Sequence, residues 1–502
     1  MSANLVAVHE KSKQYDWERT YVKAPIRYRS KYVIPKGRGK DPFRTLVRDY
    51  MAMESEKDDR VYGFLDGAVR MRLADRMEPR HVECTKLVMP ALKNAEYQAV
   101  AGSGFLITAL ENQELRQGYA AQMIDEVRHS QIESAMFQYY ARHYEDPAGF
   151  DIHQKMIGRH PGGLISVGLF QALNTGDPID VVVALNIVGE TAFTNVLFVA
   201  LPQSAAANGD HVFATTLLSI QSDESRHMAN GYGTLMTVLQ DERNIPLINE
   251  ALERYFWLYA NDVNNLIGWH TEYGARVRPN AYKDVFEEWV VDDFIGNFVD
   301  RLGEFGVTPP RCLAKASQNC NWQHHTVGIG LAALWPLHFW RSDAMGPEDC
   351  EWFENHYPGW NAVYGGLWAG HQQLSDPAGG HLLLQELPGL PPFCQVCQLP
   401  CILPRLDQNE FKVVSHDGRN FAVCSEMCAW IFSKWPLAYA GRRSFWEKYH
   451  GWDLADVITD LGLLRPDGRT LIGQPTLDPK QRLWTIDDIR RIGYEVKDPL
   501  HA

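Results

Sequence analysis

The chain has 502 residues, enough for one large core or for two or three domains. Its 62 acidic and 49 basic side chains leave a net charge of −13, which argues against nucleic acid as a ligand, because phosphate binding needs a basic face. A hydrophobic share of 45% with 15 tryptophans excludes a disordered chain.

Residues 1–60 are charged and irregular and read as an arm that wraps the body. The first twenty residues lack the apolar segment of a secretory signal, so a cytoplasmic setting is expected. Residues 61–275 read as long helices, with apolar side chains at three- and four-residue spacing and few prolines. Within them, Val181–Pro202 is long and apolar enough to span a bilayer. Asn186, Glu190, Thr191, Thr194 and Asn195 interrupt it, and a carboxylate at mid-bilayer is costly. It reads as a helix buried in a large protein, with no membrane partner. Residues 276–380 stay helical, with turns at Thr308-Pro309-Pro310 and Tyr357-Pro358-Gly359. A break follows at Leu387–Pro392. Beyond it, Phe411–Val423 alternates around Asp417-Gly418, a hairpin pattern. Pro466-Asp467-Gly468 marks another turn, and Thr485 with Asp488 offers a helix start. The expected organisation is an arm (1–60), a helical body (61–380) and a small α+β C-terminal region (381–502).

Two pentapeptides carry the chemistry. Residues 125–129 read Asp-Glu-Val-Arg-His and residues 223–227 read Asp-Glu-Ser-Arg-His. On a helix, i and i+3 lie about 60° apart, so Glu126 with His129, and Glu224 with His227, can each grip one metal ion. A helical di-metal site needs two further carboxylates from two other helices. Glu96 is the only charged residue between Lys93 and Glu111, and Glu190 the only one between Asp180 and Asp210. An unpaired carboxylate buried in an apolar helix is costly, and a metal removes that cost.

Spacing supports the set. Glu96 and Glu126 are 30 residues apart, with their midpoint at 111 in the polar run Glu111–Gly118. Glu190 and Glu224 are 34 apart, with their midpoint at 207 beside the turn Asn208-Gly209-Asp210. Two helical hairpins would then hold four glutamates and two histidines at one level. Such a ligand set suits iron or manganese better than zinc. Asp125 and Asp223 are expected to orient a histidine through its second ring nitrogen, and Arg128 and Arg226 to neutralise these carboxylates.

Five of the nine cysteines fall within residues 394–428. Cys394-x2-Cys397 and Cys424-x3-Cys428, brought together by the hairpin, form a candidate four-sulfur structural zinc site. Cys401 has no role, and the tandem His324-His325 reads as packing.

The paired motifs, GETAFTN at 189–195 and SDESRHMANGY at 222–232 resemble the hydroxylase α subunit of soluble bacterial multicomponent di-iron monooxygenases. WFENHYPGW at 352–360 and DGRTLIGQP at 467–475 are similar to the methane-type branch, and CQVCQLP at 394–400 to the phenol branch. The combination resembles most the oxygenase component of alkene (propene or ethene) monooxygenases. The resemblance implies a mainly α fold, a ferritin-like four-helix di-iron bundle enlarged with extra helices. Glu96, Glu126, His129, Glu190, Glu224 and His227 all match the iron ligands. Thr194 matches an active-site threonine, Asn195 a residue on the route to solvent, and Gln221 its polar neighbour.

The implied reaction is oxygenation of a hydrocarbon with electrons from NADH, delivered by a separate flavin/iron–sulfur reductase. For an alkene the product is an epoxide. A β subunit and a small coupling protein are the implied partners. Helix periodicity places Leu92, Ala99, Leu185, Gly189, Phe193, Phe198 and Ile220 near the ligands, and Leu169 and Leu173 match wall positions of the family. A wall of this kind selects by size and shape. Hydroxylation of phenol, toluene or small alkanes is the alternative within the same chemistry. A ferritin-like iron store and a ribonucleotide reductase radical subunit are the rivals outside it. The length of the chain speaks against the first, and Thr194 in apolar surroundings against the second.

Overall fold

The computed structural model describes residues 30–35, 47–143, 176–334, 345–366, 392–401, 411–442 and 445–452, with a few single residues beyond these runs. The turn at 466–468, the helix start at Thr485, residues 387–391 of the break and residues 1–29 of the arm lie outside the described residues.

Helix α1 spans Val47–Met71 and so begins inside the stretch expected to be irregular. Its charge conceals an amphipathic pattern. Glu54, Val61, Leu65 and Ala68 are buried, and they recur on one helical face. Helices α2 (Pro79–Ala109) and α3 (Gln113–His143) form the first expected hairpin. The Glu78 side chain caps α2 by accepting from the backbone N–H groups of Arg80 and His81, with Pro79 in the first turn. Asn112 starts α3, its Oδ1 accepting from Glu114 N at 3.0 Å and Leu115 N at 3.1 Å. The turn therefore falls at residues 110–112, around the predicted midpoint.

The second hairpin pairs α4, which runs from Pro178 to Ala207, with α5 (His211–Val238). Its turn is also where the spacing put it. Gly209 has φ +80, and a Cβ there would sit 2.3 Å from the carbonyl oxygen of Arg76, so only glycine fits. Asp210 caps α5 through Phe213 N at 2.9 Å. The same carboxylate accepts from Tyr140 Oη at 2.8 Å and faces His81 Nε2 at 3.0 Å, which ties the turn to both helices of the first hairpin.

Helix α4 differs from the expected regular helix. It runs through Pro178–Val182, π-helical segments at Val183–Phe193 and Val196–Ala200, and Leu201–Ala207. The two halves meet at a 43° bend across Thr194 and Asn195. The Thr191 hydroxyl donates to the carbonyl of Asn186, five residues back, at 2.7 Å, in keeping with the wider turn. No single helix among the described residues is long and apolar enough to cross a membrane. The bent pair in α4 passes on length and composition alone, and most of its side chains are buried in the body.

Helix α6 (Ile245–Glu272) is buried along most of its length and packs against α4. Among the remaining helices are α7 (Tyr282–Phe286, continuing as a π-helix to Val299) and α8 (Gln323–Leu334). In the C-terminal region β1 (Lys412–His416) pairs antiparallel with β2 (Arg419–Val423). Asp417 at φ 48 and Gly418 at φ 75 form the expected two-residue turn. Helix α9 (Glu426–Lys434) follows, capped by Ser425, and a short α10 (Pro436–Tyr439) follows that.

One buried acid in α6 costs stability. Asp262 is hydrogen-bonded by Ser166 Oγ at 2.9 Å, and burial pushes its carboxyl up to about 7. The folded state then binds a proton that the unfolded state releases near the ordinary 3.8, so stability falls as pH rises between these values. The full difference corresponds to about 4 kcal/mol. Asp262→Asn is expected to match the wild type near pH 4 and to exceed it increasingly towards pH 8 in thermal unfolding. A pH-independent difference in Tm would exclude this origin.

Candidate metal centre

The two hairpins bring all six expected ligands together. Oxygen and nitrogen atoms of Glu96, Glu126 and His129 lie within 4.8 Å of one another, as do those of Glu126, Glu190 and His227. His129 Nδ1 faces Glu96 and Glu126 at 3.5 Å and Glu224 at 3.6 Å. His227 Nδ1 faces Glu126 and Glu190 at 3.4 Å and Glu224 at 3.3 Å. Glu126 and Glu224 thus approach both histidines, while Glu96 and Glu190 each approach one. The set divides into two half-sites sharing two carboxylates.

All six side chains are buried. Burial pushes the Glu96 and Glu190 carboxyls up to about 8. Glu126, despite its own burial, is held at about 2 by His227 and His129. The carboxylates in turn raise both histidines well above their usual range, against the effect of burial. Neither Nδ1 makes a well-formed hydrogen bond, although each points into the ring of carboxylates. Hard oxygen donors converging with two imidazole nitrogens, both Nδ1 atoms left without a hydrogen bond, fit a pair of iron ions.

The outer ring nitrogens are held in a crossed arrangement. His129 Nε2 lies 3.1 Å from Asp223 Oδ2, and His227 Nε2 lies 3.3 Å from Asp125 Oδ2. Each aspartate therefore orients the histidine of the other motif, fixing which nitrogen faces the metal site. Arg128 reaches Asp223 at 3.2 Å and Asp125 at 3.3 Å, and Arg226 reaches each of the two aspartates at 3.0 Å. Helix α1, unmarked by sequence, closes this charged layer. Its Glu54 and Asp58 pair with Arg128, Lys57 with Asp223, and Tyr50 donates to Asp125.

Three further residues were missed. Gln122 Nε2 donates to Glu126 at 3.1 Å and to Glu190 at 2.7 Å. Asn186 Nδ2 donates to Glu190 at 2.6 Å and to Gln122 Oε1 at 2.8 Å. Each amide stands four residues before a ligand glutamate, a spacing that could have marked both. Glu133 follows His129 by four and shares its helical face. It is wholly buried, and neither oxygen has a hydrogen-bond partner among the described residues. Burial, then the neighbouring Glu96 charge, push its carboxyl well above the usual range.

Thr194 is buried one turn beyond Glu190, at the bend, while Asn195 and Gln221 are half-buried. Leu92, Ala99, Leu169, Leu173, Leu185, Phe198 and Ile220 are all buried, and a Cβ on Gly102 would touch both Leu173 and Leu185. Gly189 lies against the Tyr259 hydroxyl, 2.8 Å from where its Cβ would be. Phe193 is buried too, and its ring stacks on Tyr259 at 6.0 Å and meets Phe256 at 6.0 Å, both on α6.

A second convergence lies in the C-terminal region. Cys394, Cys397, Cys424 and Cys428 are buried, with their sulfurs within 4.8 Å of one another. Cys397 and Cys424 sulfurs are 3.5 Å apart, and those of Cys424 and Cys428 are 3.6 Å apart. A zinc tetrahedron with bonds of about 2.3 Å has edges of about 3.8 Å, so the cage is close to the required size. Against its own burial, the Cys394 thiol is held well below its usual range by hydrogen bonds from Cys397, Cys401, Cys424 and Cys428. Cys401 is buried beside the cage. His324 and His325 are core residues, bonded to Glu272 at 2.6 Å and Tyr273 at 2.8 Å. Glu272, His324 and His325 also cluster closely, but Tyr282 N at 2.6 Å, Tyr357 Oη at 2.5 Å and His324 already occupy the carboxylate.

Comparison with known proteins agrees with this geometry. Residues 17–242 match the Methane/Phenol/Alkene Hydroxylase family model. The hydroxylase large subunit of propane 2-monooxygenase from Gordonia sp. strain TY-5 is 38% identical, over 98% of this chain and 93% of the relative. The oxygenase α subunit of the alkene monooxygenase system of Xanthobacter autotrophicus is 25% identical, over 88% and 89%. The xenon-pressurized phenol hydroxylase structure from Pseudomonas sp. OX1 shares the fold, with a TM-score of 0.76, 22% identity and 89% of each chain covered. The chain belongs to the methane/phenol/alkene hydroxylase family and is the hydroxylase α component of a multicomponent di-iron monooxygenase.

The crossed pairs make a specific prediction. Asp223→Asn is expected to weaken iron retention at the His129 half-site by about 10–100-fold while leaving helical content intact. Competition with a ferrous chelator, followed by circular dichroism, checks this. Unchanged iron retention would show that Asp223 does not orient the histidine.

Proposed function

We propose that the chain oxygenates a short alkane, propane or a close homologue, at a di-iron centre held by Glu96, Glu126, His129, Glu190, Glu224 and His227. The observation that carries the substrate reading is the greater identity to the propane relative than to the alkene relative, over nearly the whole chain. The buried aliphatic residues around the ligands support a small apolar substrate. Epoxidation of a short alkene is the second reading, supported by the full-length likeness to the alkene relative. NADH is the electron source through a separate reductase, and a β subunit and a coupling protein complete the system. The cysteine cage holds a structural zinc. A cytoplasmic location suits this electron supply.

Held by the four glutamates and two histidines, a reduced iron pair would supply oxygen activation. One oxygen atom enters a C–H bond to give an alcohol, and the other leaves as water with two electrons and two protons. The protein's own residues do the rest. Gln122 and Asn186 hold Glu126 and Glu190 in place, and Asp125 and Asp223 fix the histidines. Thr194 offers a proton at Oγ1, one turn from Glu190. The aliphatic wall excludes water and admits substrates by size.

The test is product analysis with propane, propene, methane, toluene and phenol, in the presence of reductase and coupling protein. Propane is expected to be oxidised at the highest kcat/KM. Propene turnover without any alkane oxidation would establish the second reading instead. Purified protein is expected to hold about two iron per chain. Glu224→Ala is expected to abolish turnover while the fold persists, and wild-type turnover in this variant would refute the site.

A further inference from the structure

Helix α6 stands between the two metal-type clusters, and it offers a different face to each. Glu250, Arg254 and Trp257 fall within about 60° of one another on the helical wheel, whereas Phe256 and Tyr259 lie on the far side. The first face carries the C-terminal region. Lys434 Nζ pairs with Glu250 at 2.8 Å. Arg254 donates to Tyr439 Oη at 3.1 Å and lies 4.2 Å from the Trp435 ring. Trp257 donates its indole N–H to Cys428 Sγ, a member of the cysteine cage, at 3.2 Å, and both residues are buried. The other face supports the iron-type site. Phe256 and Tyr259 hold the Phe193 ring, three residues past Glu190, and the Tyr259 hydroxyl rests against Gly189, one residue before it.

We propose that the cysteine cage braces the di-iron site through α6, with Trp257 as the positioning residue that fastens the cage to the helix. A cage sulfur bonded to zinc keeps a lone pair that accepts the indole N–H. Cage geometry and helix position are then set together. The ring of Phe193 and the backbone at Gly189 transmit that position to Glu190. The inference rests on the zinc reading of the cage and adds to it a mechanical link to the iron.

The experiment uses the complete hydroxylase. Metal analysis of the wild type comes first, because protein without zinc overturns the zinc reading and this inference together. Given zinc, Trp257→Phe keeps the aromatic packing and removes the donor. It is expected to release zinc to a chromophoric chelator about tenfold faster than wild type, with iron content unchanged. It is also expected to alter the paramagnetic resonance signal of the half-reduced di-iron form. If the variant does not fold, the wild type serves. Zinc is displaced with an organomercurial, which leaves carboxylate-bound iron in place, and is then restored with thiol and zinc. The iron signal is expected to shift on removal and return on restoration. An unchanged zinc release rate in Trp257→Phe, or an iron signal indifferent to zinc while iron is retained, overturns the brace.

Discussion

Burying like charges at close range is the constraint on which this protein depends. Glu96, Glu126, Glu190 and Glu224 converge inside a helical core, a place where carboxylates repel one another and lack water. Without compensation such a core would spread apart or take up protons, as the raised Glu96 and Glu190 carboxyls show. Compensation is layered. Two histidines face the carboxylates, amides of Gln122 and Asn186 hold two of them, and a shell of aspartates and arginines surrounds the histidines. A pair of cations completes the balance, so the repulsion among the carboxylates and the affinity for metal have one origin.

The same constraint explains the scaffold. Two hairpins must keep their ligands level, and each turn is fixed by groups that tolerate no slip. Asn112 caps one hairpin, and Gly209 with Asp210 forms the other. The π-helical winding of α4 is a further consequence of a helix that must offer Glu190 to the metal site and Phe193 to α6. A regular helix would set the two side chains about 60° apart. The extra residue per turn lets one short segment serve two neighbours.

Much of this was legible from sequence. The six candidate ligands were, because charge is rare in apolar helices and because the Asp-Glu-x-Arg-His pattern occurs twice. The hairpin turns followed from midpoint arithmetic, and the cysteine cage from its spacing around Asp417-Gly418. What escaped notice depends on tertiary contact. The crossing of Asp125 to His227 and of Asp223 to His129 is invisible within either motif, since an aspartate four residues before its own histidine suggests a local pair. Helix α1 was hidden by its charge, part of which, at Glu54, Lys57 and Asp58, is turned on Arg128 and Asp223 rather than on solvent.

The crossed aspartate–histidine pairs have a consequence for how such a site can change. Neither pentapeptide is a self-sufficient unit, because each supplies the anchor for the other's metal ligand. Inserting or deleting one residue between the motif and its turn in either hairpin would rotate that helix by about 100° and unhook both histidines at once. Transplanting one hairpin into another scaffold would carry a histidine without its anchor. The two hairpins can therefore be exchanged between proteins only as a pair, like the two halves of a clasp.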